Sequence, residues 1–231
     1  MRKEKSLKAA NQKKLLTFVV FNLVTATLVL SGYAEFQSAL RREAEIDLTL
    51  LTRLIGTIVG LPAAGALAVG LLSWLIPKEW KEALVFWQVG ARRLPSSEAF
   101  TVIAPSDLRI DMVRLARRLG PLPSDSARQS TLWYSAYRKH REEASVIDAN
   151  SAYLLYREMS ATVPFLLVAG TLLGALHGAD FTRIAGLAVI IFIEFIAVTL
   201  AGRNAGRRLV ANVLAIEAGS VEESSKNLVQ L

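Results

Sequence analysis

Four stretches of this chain carry at most one charged residue over 17 or more positions: 15–34, 54–76, 161–177 and 184–202. They constrain everything else. The first is 20 residues long, roughly 30 Å as a helix at about 1.5 Å per residue, which matches the hydrocarbon core of a bilayer. With 52% hydrophobic residues among 231 and a mean hydropathy of +0.36, the chain is too apolar for an ordinary soluble domain. The expected fold class is all-α: an integral membrane four-helix bundle with a small helical cytoplasmic domain between spans 2 and 3.

Charge sets the expected orientation. Arg2, Lys3, Lys5, Lys8, Lys13 and Lys14 face a single acid, Glu4, just before the first span, which favours a cytoplasmic N-terminus. Gly32 and Ala34 would suit a signal peptidase, so a cleaved signal is the rival reading, although a signal core spans only about 7–15 residues. Residues 35–53 are slightly acidic, as an external loop should be. Residues 77–160 hold 13 Lys/Arg and 10 Asp/Glu and are expected on the cytoplasmic side. Arg203, Arg207 and Arg208 follow the fourth span and return the chain inside. The expected organisation is an N-terminal transmembrane hairpin over 1–76, a cytoplasmic helical domain over 77–160, a C-terminal hairpin with a helical extension over 161–218, and a polar, frayed tail over 219–231. The net charge of +7 is thus assigned to topology, and nucleic acid is not an expected partner.

Small residues repeat every fourth position in two spans: Gly56, Gly60, Ala64 and Ala68 in the second, and Gly170, Gly174 and Gly178 around the third. On a helix this spacing forms a groove that another backbone can approach, so these glycines are read as helix-packing positions and the chain as a homo-oligomer. Pro62 and Pro164 interrupt backbone hydrogen bonding inside their spans, and Pro164 is least costly where a helix restarts.

In the polar middle, 78–93 reads as an amphipathic helix with Trp80, Leu84 and Trp87 on one face, where indoles favour a membrane interface. Ser106 is the expected cap of a helix over 107–119. Ser124 and Asp125 start another helix running to about Arg141. A last helix from about Val146 is expected to continue unbroken into the third span.

Glu194, in the fourth span among apolar neighbours, is the most constrained polar residue, because a carboxylate at that depth costs roughly 2.5–3.5 kcal/mol on insertion scales. Asn22 and Glu194 lie seven and eight residues from the inner ends of their spans, both about 10–12 Å deep, which leaves an interhelical hydrogen bond open. The alternatives are a carboxylate lining an ion path or pore, or a proton relay. His177 reads as a hairpin cap or a sensor of external pH, and His140 as part of a solvated charged face or a catalytic base. Trp133, Tyr134 and Tyr137 form small-domain core, a membrane-facing surface or a base-stacking platform, and Trp80, Trp87, Arg117, Arg118, Trp133, Tyr137 and Arg138 are the interface or ligand candidates. Arg92, Arg93, Arg117, Arg118, Arg138, Lys139 and Arg141 are topogenic, or bind anionic headgroups or a nucleotide signal. Without cysteine and with two histidines, thiolate and His-rich metal sites are not expected. No phosphate-cradling loop, HExxH or GxSxG sequence is present, so no catalytic residue, metal or cofactor is assigned.

The succession RRLPSSEAF, SDLRIDMVRL and LWYSAYRKHREEASVIDANSAYLLYRE, spanning roughly 92–160, resembles small four-span bacterial inner-membrane proteins of uncharacterised function. The layout also resembles membrane effectors of bacterial defence systems. The resemblance implies a multi-pass protein of the bacterial inner (cytoplasmic) membrane with both termini cytoplasmic. The expected function is non-enzymatic: the cytosolic domain receives a protein partner or small signalling ligand, and the transmembrane helices self-associate. The alternatives are an oligomeric pore or ion-conducting effector in phage defence, and an interfacial enzyme acting on lipid or nucleotide.

Overall fold

The structure, a computed structural model, describes residues 2–31, 75–90, 94–176 and 178–219, with side chains from residue 11 onward except residue 31. Six helices are labelled here: α1 Arg2–Ser31, α2 Lys78–Phe86, α3 Met112–Leu119, α4 Ser126–His140, α5 Ala144–Leu176 and α6 Phe181–Gly219. Between α2 and α3 lie a 3₁₀ turn Pro95–Glu98, a π-helical turn Ala99–Ile103 and one α-turn Ala104–Ser106. No strand occurs among the described residues. The second span over 54–76, with Gly56, Gly60 and Pro62, lies almost wholly outside them, as do the loop 35–53, Arg92, Arg93, His177 and the tail after Gly219.

Three helices are long and apolar enough to cross a membrane: Asn11–Leu30, Ala144–Leu176 and Phe181–Gly219, whose most apolar 18-residue stretches have mean hydropathies of 1.7, 1.8 and 2.6. The chain is therefore a membrane protein. Its residues form two compact units, Met1–Pro77 with Glu158–Val198, and Lys78–Arg157 with Thr199–Leu231. Both α5 and α6 contribute residues to each unit. The expected C-terminal hairpin with its extension covered 161–218, whereas residues from Thr199 onward group with the second unit.

In the first unit, Val19 and Leu23 of α1 pack on Leu166 of α5, while Ala26, Val163, Leu187 and Ile191 form a second cluster. Leu30, near the end of α1, meets Gly174, near the end of α5. The two helices therefore run in the same direction, with α6 antiparallel to both. Phe21, Val168, Leu172, Phe192 and Ile193 are exposed, as lipid-facing side chains are.

Gly170 and Gly174 are filled from within the chain. A Cβ at Gly170 would lie 3.0 Å from Leu187 Cδ2, and one at Gly174 would lie 2.9 Å from Leu30 Cδ2 and 3.0 Å from Ile184 Cγ1. The expected Gly178 continuation of this groove is corrected: α5 ends at Leu176, and Gly178 stands beyond it at φ +68° with no neighbour within 4 Å of a Cβ. Gly178 N–H donates to Ala175 O and Ala179 N–H to Gly174 O, the paired bonds of a Schellman end, for which glycine's left-handed backbone is the reason. Pro164 is likewise not a restart, because α5 runs through it.

In the second unit, Leu115, Trp133, Ala136, Val146, Val213 and Leu214 are core residues. Asp125 caps α4 by accepting from Arg128 N–H at 3.0 Å. The helix expected over 107–119 begins only at Met112. Its cap is Asp111, which accepts from Val113 and Arg114 N–H, while the Ser106 hydroxyl closes the preceding turn on Ile103 O. The helix expected over 78–93 stops at Phe86, where Trp87 turns to φ +53°. Gly202 and Gly206 supply a four-residue glycine stripe of their own: Val85 packs against the first, and Phe86, Pro95 and Tyr153 against the second.

Candidate functional site

Three polar arrangements stand out against this apolar framework. In the first unit, Asn22 Nδ2 donates to Glu194 Oε1 at 3.0 Å and to Phe18 O at 3.1 Å. The bond that equal depth left open is formed, between α1 and α6. It supplies one oxygen of a carboxyl set among apolar neighbours with a donor. Glu194 Oε2 has no hydrogen-bond partner among the described residues.

The second arrangement is a buried carboxylate at the end of α6. Glu217 is 3% exposed. His140 Nε2 lies 2.6 Å from its Oε2, and Lys139 Nζ donates to its Oε1 at 3.1 Å. Arg118 donates to the Glu217 backbone oxygen at 3.0 Å. Burial alone would push the Glu217 carboxyl up, but the hydrogen bonds from His140 and Lys139 outweigh it and hold the group below the ordinary glutamate range. An ionised carboxylate only accepts, so in this pairing His140 carries its proton on Nε2. Three side chains from α3 and α4 thereby hold the last turn of α6. The reading of His140 as part of a solvated face is corrected, because its side chain is 15% exposed and bonded.

The third arrangement is a groove of about 550 Å³ lined by Val102, Leu108, Arg109, Arg207 and Arg208, among others. Asp107 accepts from Arg109 at 2.7 and 3.0 Å, and this pairing holds the Asp107 carboxyl below its usual range. Arg109 also donates to Asn212, which in turn donates to Ser145 O. Arg207 and Arg208 are exposed.

The aromatic group divides. Trp133 is buried and stacks on Tyr137 at 5.3 Å. It belongs to the core and offers no open stacking face, which corrects its assignment as an interface residue. Tyr134 is exposed, with the Arg138 guanidinium 5.8 Å from its ring centre. Trp80 and Trp87 are exposed. Arg203 holds Trp87 in place, with its guanidinium 4.2 Å from the ring centre and Nε donating to Val85 O at 2.7 Å. Arg117 is exposed, whereas Arg118 is committed to the end of α6.

Sequence reasoning missed Glu217 and Asn212. The usable signal was the one that singled out Glu194: Glu217 is the lone charge in LVANVLAIEAG. No group of three or more His, Cys, Asp or Glu suited to a metal occurs among the described residues. Comparison with family models, curated proteins and solved structures finds no match.

Proposed function

We infer that this chain is a four-span inner-membrane protein with both termini cytoplasmic, whose helical second unit receives a cytosolic partner or signalling ligand and passes that event to the membrane helices. The carrying observation is that α5 and α6 are each unbroken and each supply residues to both compact units. A shift of either helix in one unit is therefore a shift in the other. The parallel course of α1 and α5 supports the span count, since two helices crossing in the same direction need an odd number of crossings between them. Residues 54–76 are the apolar run long enough to provide one.

The fillings of Gly170 and Gly174 are intramolecular, so self-association, which remains part of the reading, draws no support from them. The pore alternative is less favoured, because Glu194 Oε1 is engaged by Asn22. The enzyme alternative is less favoured as well, since Glu217 is engaged by Lys139 and His140, and neither Glu217 nor His140 lines the groove at Arg109, Arg207 and Arg208.

The test is to insert three glycines after Arg157 and after Val198, the unit boundaries, and to follow amide hydrogen exchange over 161–176 in detergent. Perturbing the second unit with Trp133→Ala should change that exchange in the native chain and leave it unchanged in the inserted chain. Equal responses in both would end the coupling argument. A reporter fused near Gln129 should stay cytoplasmic, and its export would refute the orientation.

A further inference from the structure

The geometry points to the groove between Val102 and Arg208 as a binding site for the headgroup of an anionic phospholipid. This rests on the reading that 184–202 crosses the bilayer. Arg207 and Arg208 lie five and six residues past Gly202 on the unbroken helix α6, about 8–9 Å farther along at about 1.5 Å per residue. The headgroup layer outside the hydrocarbon core is roughly 5–7 Å deep, so these guanidinium groups, on long flexible stems, reach phosphate level. Neither has an ion-pair partner among the described residues. Arg109 is different: it is held by Asp107 and Asn212 and presents a fixed edge to the groove. Among the described residues that line it, the groove carries three cations, Arg109, Arg207 and Arg208, against one anion, Asp107.

A soluble phosphate ligand would be served by the charges alone. Leu108, fully exposed, and Val102, half exposed, stand beside the arginines. Unpartnered apolar side chains next to unpaired arginines match a molecule that is anionic at one end and hydrocarbon at the other. That pairing of chemistries commits the site to a glycerophospholipid rather than to a free phosphate. Bound lipid would bridge Arg207 and Arg208 of α6 to Leu108 and Arg109, and so make the second unit responsive to the charge of the surrounding membrane.

The test uses the full chain in a nonionic detergent, with native mass spectrometry reading the apparent Kd for phosphatidylglycerol, phosphatidylcholine and glycerol 3-phosphate. Phosphatidylglycerol should bind at least about tenfold tighter than phosphatidylcholine. The double variant Arg207→Gln/Arg208→Gln should weaken it by roughly thirtyfold, about fivefold per arginine. Leu108→Ser should weaken phosphatidylglycerol and leave glycerol 3-phosphate unaffected. A charge-matched control at exposed arginines outside the groove, Arg114→Gln/Arg128→Gln, should change little. An equal loss in the control would mean general surface charge and overturn the site, as would undiminished binding by Arg207→Gln/Arg208→Gln. Glycerol 3-phosphate bound as tightly as phosphatidylglycerol would replace the lipid by a soluble anion. Lost lipid preference alongside a cytoplasmic Gln129 reporter fails this inference alone, whereas an exported reporter fails the topology beneath it.

Discussion

Replacing Glu217 with alanine should release the last turns of α6. The carboxylate accepts from His140 at 2.6 Å and from Lys139 at 3.1 Å, and its backbone oxygen accepts from Arg118. A hydrogen bond to a buried charged group contributes about 1.5–3 kcal/mol, and the His140 bond is of this kind. The Lys139 side chain is 57% exposed, so solvent screens its pairing to at most about 1 kcal/mol. The expected loss is therefore about 2–4 kcal/mol. Expressed as local opening, amide protection over 205–219 should fall by about thirtyfold for the first 2 kcal/mol. Glu217→Gln, which keeps the shape but removes the charge, should lose about half as much. The pH dependence has a definite sign. Because the folded chain holds this carboxyl below its ordinary value of 4.5, the stabilisation is complete above that pH and disappears as pH falls through the lower folded value. The gap in Tm between the native chain and Glu217→Gln should thus close on going from about pH 6 to about pH 3. Unchanged exchange over 205–219 in Glu217→Ala, or a gap that widens in acid, would refute this account of how α6 ends.

Two further outcomes concern the membrane helices. Gly174→Leu should destabilise the chain by about 1–3 kcal/mol or more, because even a Cβ would come within 2.9 Å of Leu30 and 3.0 Å of Ile184. Its copy number in detergent should not change, and analytical ultracentrifugation alongside unfolding separates the two effects. Asn22→Leu should cost about 0.6–1.7 kcal/mol, the range of interhelical hydrogen bonds in membranes, while Glu194→Gln should be nearly neutral because an amide oxygen still accepts from Asn22. If Asn22→Leu unfolds no more readily than the lipid-facing control Phe21→Leu, the Asn22–Glu194 bond contributes nothing.

The parts legible in the sequence were those fixed by counting along a single helix. Asn22 and Glu194 could be matched because depth follows from distance to a span end, and that arithmetic does not depend on the rest of the fold. Asp125 was readable as a cap because prolines at 121 and 123 leave the chain little choice but to start a helix after them. The misreadings lie where local and tertiary preferences compete. Ser106 has a good cap side chain, but residues 95–106 are wound into 3₁₀ and π turns, and its hydroxyl serves that turn. Trp87 leaves the helical region because Arg203, 116 positions away, holds its ring and the Val85 carbonyl. The Glu217–His140 pair joins residues 77 apart, and no periodicity reports such a meeting. Glycine spacing does not name its partner: at 170 and 174 the neighbours are side chains of the chain's own α1 and α6, and at 202 and 206, a spacing the sequence reading passed over, the α2 end and Tyr153.

Helix α6 shows most directly why one chain needs two solvents. Up to Leu200 its large side chains Val189, Ile190, Phe192, Ile193 and Leu200 are each close to half exposed or more. In water each would forgo on the order of 1 kcal/mol of burial. Beyond Gly202 the pattern inverts, with Arg207 and Arg208 outward and Leu209, Val210, Val213 and Leu214 buried. A helix in one medium keeps one rule for what it exposes, and this one changes rule within a single turn. That turn contains Gly202, whose missing side chain admits Val85 and Tyr156, and Arg203, tied to Val85 and Trp87. On the proposed topology, in which the fourth span ends at Gly202, the packing of residues 202 and 203 against Val85, Tyr156 and Trp87 begins where the apolar run ends.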